Sequence, residues 1–173
     1  MSLLVDGADW AWRGERWAHL TSDSSFDELH QFANRLGVRR LAFQDDHYDL
    51  PSALRELALA HGAVPVTSRA LVAALRSAGL RVRGRRTPWS SGDPRDPAVR
   101  VALVPVLDAW PRLRDVSWST VLHRPGEVAL STALAPRGAP AADVVPPPLT
   151  RVAFIVERPE GRILDVVLRL APE

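Results

Sequence analysis

SFDELHQFANRLGVRRLAF, residues 25–43, is the stretch on which the fold of the first half turns. Ser25 with Glu28 three residues later has the form of a capping box, and Phe26, Leu29, Ala33 and Leu36 recur at the spacing of one helical face. Gly37 supplies the stop, because a helix C-terminus commonly needs a residue in the left-handed region. The spacing predicts a helix from Ser25 to Leu36. The apolar stretch Val38 to Phe43 then predicts a strand.

Working outward, Leu3-Leu4-Val5 is a short apolar run ending at Asp6, and Arg16 to Leu20 reads as a second short strand. On the other side Gln44 to Asp49 reads as a polar loop, and Pro51 falls in the first turn of a second helix that runs to His61 and stops at Gly62. Ala63 to Val66 follows as a strand, and Thr67 or Ser68 caps a third helix ended by Gly79. Strands alternating with helices predict a small α/β domain, with a parallel or mixed sheet in two or three layers and right-handed crossovers.

Proline marks where this pattern ends. Of 15 prolines, only Pro51 and Pro65 precede Pro88. The expected organisation is an α/β domain over 1–86, a Pro/Gly/Ser linker over 87–98 and a β-rich, antiparallel domain or extension over 99–173. Strands are expected at Val99–Val106, Val116–His123, Glu127–Leu134, Arg151–Glu157 and Arg162–Leu170, with a long loop over 136–149 and a hairpin turn at 158–161. In the last strand Leu164, Val166, Leu168 and Leu170 share one face and Asp165 and Arg169 the other, the pattern of a sheet with one face in water.

Composition closes several routes. Hydrophobic residues at 46% and charged residues at 24% belong to a folded globular chain, and zero cysteines exclude disulfides, thiolate metal sites and a cysteine nucleophile. A pI near 10.2 suggests a polyanion partner, but every one of the 22 basic residues is Arg, against 20 acids, so the net charge is only +2. With no Lys, little titrates between His and Arg, and a small excess of Arg moves the isoelectric point far upward. No apolar run approaches the roughly 20 residues that span a bilayer, and MSLLVDGADW has neither a basic lead nor a secretory h-region. The expectation is a cytoplasmic protein with no membrane partner.

In open α/β sheets ligands gather beyond the carboxyl ends of the strands, and this chain is rich in polar residues there. Asp6 ends the first strand, Asp45, Asp46, His47 and Asp49 follow the Val38 stretch, and Thr67, Ser68 and Arg69 follow the Ala63 strand. His19 lies on the second strand, and His30 at the margin of the first helix's apolar stripe. Without thiolates, imidazole and carboxylate are the usual ligands of Zn²⁺ or Mn²⁺, and a bound ion can activate water. Asp6, His47 and Asp49 are therefore candidate ligands of a divalent metal or general acid/base groups. His19 and His30 are candidates to complete the site, and Arg55 and Arg69 to hold an anionic group. The corresponding function is metal-dependent hydrolysis of a phosphate-bearing substrate.

Plainer roles compete with these. Asp49 is placed to cap the Pro51 helix, His30 to sit at a helix edge, His61 to face a helix C-terminus and His123 to lie in an exposed turn. No HExxH, Gly-x-Ser-x-Gly or Gly-rich phosphate loop occurs, which argues against a zincin, a serine hydrolase, a P-loop NTPase and a standard dinucleotide fold. Trp10, Trp12 and Trp17 interleave with Arg13 and Arg16, a combination suited to stacking bases or to packing on the sheet. Between Arg69 and Thr87 no acid interrupts Arg76, Arg81, Arg83, Arg85 and Arg86. These features define a second reading, a non-catalytic adaptor for nucleotides or nucleic acid. A third is a structural or regulatory module in which the His/Asp set forms a buried polar network.

Several of these residues also fall into a family pattern. Val5-Asp6, His19 with Asp23, Glu28-Leu29-His30 leading to Leu36-Gly37, and Phe43-Gln44 open it. His47-Tyr48-Asp49, Arg55 eight residues beyond His47, Gly62-Ala63 and Thr67-Ser68-Arg69 complete it. Over residues 3 to 83 the chain resembles the bacterial and phage domain of unknown function 4031. The family has no established activity, so the resemblance implies a domain and not a function, and residues 88–173 lie outside it.

Overall fold

The computed structural model describes residues 2–82, 87–134, 153–158 and 161–170. The chain divides into two compact units, Met1–Val38 with Ala42–Arg86, and Arg39–Leu41 with Thr87–Glu173.

The first unit is built on a five-stranded mixed sheet around one long strand. This strand, β3 (Glu15–Ser22), pairs antiparallel with β1 (Leu3–Val5) and β2 (Trp10–Trp12), and also with β4 (Tyr48–Pro51). Among the described residues only β5 (Val64–Pro65) pairs parallel, with β1, so the alternation of strands and helices yields a mixed sheet and not a wholly parallel one. β2 and β3 form a tight hairpin through Arg13 (φ 52°) and Gly14 (φ 78°), the two left-handed residues that a two-residue hairpin loop demands.

Three helices complete this unit: α1 (Phe26–Arg35), α2 (Ser52–Ala60) and α3 (Ser68–Ser77). Ser25 caps α1 as its sequence predicts, accepting from the Glu28 N–H. The reciprocal half of the box is rewired, with Glu28 accepting from Ser22 and Ser24 hydroxyls while the Ser25 N–H donates to Ser22. Val5, Leu20, Leu29, Phe32, Tyr48 and Leu50 lie at the centre of the core. Burying side chains of this size contributes about 1.5–3 kcal/mol each.

Two local expectations are corrected here. Val38 to Phe43 is not a strand: Arg40–Ala42 is a short 3-10 turn, and Phe43 makes one isolated bridge to Tyr48. Arg39 and Arg40 break the apolar run, and the Val38 N–H is already taken by the Ala33 carbonyl at the helix exit. The strand forms later, within the expected polar loop, because Tyr48 and Leu50 alternate inward while Asp49 and Pro51 face the other way. Asp49 is thus a strand residue, and Pro51 stands at the cap of α2.

The second unit holds an antiparallel sheet in the order β6 (Ser90–Ser91), β7 (Thr120–Arg124), β8 (Glu127–Leu134), β10 (Gly161–Arg169), β9 (Ala153–Arg158). The stretch expected to be a linker contributes β6 and the start of α4 (Pro97–Ala109). Val99–Val106 is therefore helix where a strand was expected. Its continuous apolar run has no alternation, and Asp96 as N-cap with Pro97 in the first turn starts a helix. The predicted strand at Val116–His123 begins only at Thr120, after a 3-10 turn over Pro111–Asp115. The expected loop at 136–149 and part of the turn at 158–161 lie outside the described residues. The second face of β10 is not open to water at Asp165, which is fully buried. Arg39 clamps its carboxylate at 2.7 and 3.0 Å and also donates to Ser131, itself bonded to Asp165.

Candidate functional site

The antiparallel register of β3 fixes the site. His19 stands opposite Asp49 on β4, and Trp17 opposite both Trp10 and Pro51. Alternation sends Ala18 and Leu20 into the core, so His19, Asp49 and the tryptophans share the opposite face of the sheet. His47, just before β4, joins them, its ring 5.2 Å from that of His19.

Each imidazole is held from behind by a buried carboxylate. His19 Nδ1 lies 2.8 Å from Asp6 Oδ2, and the His19 main-chain N–H donates to Asp6 Oδ1 at 2.6 Å. His47 Nδ1 lies 2.6 Å from Asp46 Oδ1. A carboxylate beside Nδ1 fixes a proton there and turns Nε2 outward, where it can ligate an ion once its own proton is released, as in carboxylate–histidine–metal arrangements. Both Nε2 atoms face Asp49 Oδ1, at 3.4 Å from His47 and 4.0 Å from His19. Asp49 Oδ2 accepts from Gln44, whereas Oδ1 is buried. Donor atoms of His19, His47 and Asp49 all lie within 4.8 Å of one another, close enough to share one metal ion.

The carboxylates behind the histidines are themselves anchored. Ser68 donates to Asp6 Oδ2 at 2.7 Å, a contact created by the parallel pairing of β1 with β5, which sets the start of α3 beside the end of β1. Asp46 Oδ2 accepts from Arg81 at 2.6 Å and from the Val82 N–H at 3.1 Å. Burial would raise both carboxyl groups, but the hydrogen bonds to Asp6 from His19 and Ser68, and to Asp46 from His47 and Arg81, hold each below its ordinary value. Burial would lower His47. The bonds to Asp46 and Asp49 and the charges of both carboxylates outweigh it and raise the imidazole to about 9.

The sequence candidates separate accordingly. His19, His47 and Asp49 come together, and Asp6 stands behind His19 with both oxygens engaged, so it supports the cluster without facing its centre. Arg55 donates to the Asp6 carbonyl and to Glu56, and Arg69 is exposed in the first turn of α3. His30 is not at the site: it is buried among Phe26, Phe43 and Tyr48, with its Nδ1 2.9 Å from the Tyr48 hydroxyl. His61 is the C-cap residue of α2. Of the basic stretch, Arg81 is bound to Asp46, and Arg83, Arg85 and Arg86 lie outside the described residues. Sequence reasoning missed Gln44 and the anchoring roles of Asp46 and Ser68. Their signals were the family pattern, which includes Gln44 and Ser68, and for Asp46 its adjacency to His47.

The fold and the cluster define a mixed α/β domain with a histidine–carboxylate site on one sheet face. Residues 3–78 match the model of the family DUF4031, described as a protein of unknown function. No curated protein and no solved structure matches the chain. Among the described residues no helix is long and apolar enough to cross a membrane.

Proposed function

We propose that the first unit is a metal-dependent hydrolase whose divalent ion is held by His19 Nε2, His47 Nε2 and Asp49 Oδ1. The observation that carries this reading is the convergence of two carboxylate-backed imidazoles on one carboxylate, with donor atoms of His19, His47 and Asp49 all within 4.8 Å of one another.

Two nitrogens and one oxygen suit Zn²⁺ or Mn²⁺ better than Mg²⁺ or Ca²⁺, which favour all-oxygen shells. Three protein ligands leave positions for water and substrate, and an ion there would supply a water of lowered pKa and polarise a phosphoryl oxygen. The chain's own residues fix the geometry: Asp6 and Asp46 orient the rings, Gln44 orients Asp49, and Ser68 and Arg81 hold the supporting carboxylates. Arg69, exposed next to Ser68 in the first turn of α3, is the candidate to meet a substrate anion, while Arg55 braces the Asp6 main chain.

Chelator-stripped protein, reloaded with Zn²⁺ or Mn²⁺ and assayed on bis(p-nitrophenyl) phosphate and p-nitrophenyl phosphate, should regain turnover in step with ion uptake. Tight uptake without turnover on any phosphoester would reject the hydrolase reading and leave only a metal site.

A further inference from the structure

The face that carries His19 continues into a row of aromatic rings that the proposed chemistry does not use. Trp10 stacks on the His19 ring with centroids 6.3 Å apart and planes 4° from parallel, and Trp12 follows at 6.2 Å and 17°. Trp17 closes the group edge-on against Trp12, and its indole N–H donates to the Trp12 carbonyl. Aromatic rings of this size usually bury their area. Here Trp10 and Trp12 remain 45% and 46% exposed on a tight hairpin. The register Trp10↔Trp17 and the turn at Arg13-Gly14 hold them in place, so their exposure belongs to the formed hairpin and not to a frayed end.

We infer that the substrate of the proposed metal site is an unpaired nucleic-acid strand, whose bases stack on Trp12 and Trp10 while an adjoining phosphate reaches His19, His47 and Asp49. This rests on the metal reading. Three successive rings, two from Trp and one from His19, lie in nearly parallel planes, the arrangement that consecutive bases present. Arg13 lies over the Trp12 ring with its guanidinium 4.5 Å from the centroid, a cation–π contact that a base stacking on that face would replace. Within the hairpin Arg13 and Arg16 only offset Asp9 and Glu15. Phosphate attraction therefore falls to the ion, and base stacking supplies the affinity of the hairpin.

The test uses the full chain, with and without Zn²⁺, titrated with an eight-nucleotide oligothymidylate while tryptophan fluorescence and anisotropy are followed. Trp10→Ala with Trp12→Ala should weaken binding by roughly 5–150-fold per ring removed, and Trp10→Phe with Trp12→Tyr should recover most of it. An abasic strand of equal length should bind far more weakly than oligothymidylate. Equal binding of the abasic strand, indifference to the double alanine variant, or a preference for an oligosaccharide of similar length would overturn the inference. His47→Ala separates the two readings: it should lose ion uptake and keep tryptophan quenching by oligothymidylate in metal-free buffer. If the wild-type chain takes up no ion yet shows ring-dependent quenching, the base platform stands and the metal reading fails. If ions bind and no quenching occurs, the metal reading stands and the strand inference fails.

Discussion

His47→Ala should abolish retention of a divalent ion through gel filtration while leaving a folded domain. The substitution removes an imidazole whose Nε2 faces Asp49 Oδ1, and so one of three converging donor atoms. Loss of a direct ligand should exceed the roughly 10–100-fold effect of disturbing an outer partner. The domain survives because Asp46, left behind, keeps its bonds from Arg81 and the Val82 N–H. In the metal-free state one lost charge-assisted hydrogen bond corresponds to about 1.5–3 kcal/mol, measurable by urea denaturation. Unchanged ion uptake would remove His47 from the site. A much larger stability loss together with no ion in the wild type would favour the buried-network reading.

Asp6→Ala should act on both stability and metal. Asp6 is buried to 1% exposure and accepts from the His19 main chain, the His19 ring and Ser68. Its removal strands buried donors, at a cost of about 2–4 kcal/mol in metal-free protein. Asp6→Asn separates packing from chemistry. The amide keeps the shape, but its N–H₂ facing His19 Nδ1 would push the imidazole proton to Nε2, the atom that points at Asp49. Asp6→Asn should therefore lose less stability than Asp6→Ala and still bind Zn²⁺ roughly 10–100-fold more weakly. Zn²⁺ binding as tight as wild type in Asp6→Asn would show that the Asp6–His19 contact does not set the tautomer.

The first helix and its Ser25 cap were legible because a 3.6-residue period and a capping residue are local signals. The shift of a strand from Val38–Phe43 to Tyr48–Pro51 was not, because Phe43 and Tyr48 are both apolar neighbours of the same core. What decides between them is the 3-10 turn at Arg40–Ala42. That shift also changed the site. With Asp49 in a strand opposite His19, the pair faces one side of the sheet, a register that the expected loop placement could not supply. His30 misled because its spacing on α1 fits either face margin, and only the Tyr48 hydroxyl 2.9 Å away reveals it as a core residue. In the second unit the Val99–Val106 run was ambiguous by composition alone, since a continuous apolar stretch suits a buried strand or a helix. The Asp96-Pro97 start was the overlooked sign.

X-ray absorption spectroscopy on the Zn²⁺-loaded full chain tests the central claim most directly. Convergence of His19, His47 and Asp49 predicts one ion per chain with two imidazole nitrogens at about 2.0–2.1 Å and a carboxylate oxygen at about 2.0–2.2 Å, and loss of the imidazole signature in His19→Ala/His47→Ala. A shell of oxygens alone, or a spectrum unaltered in that double variant, would contradict it.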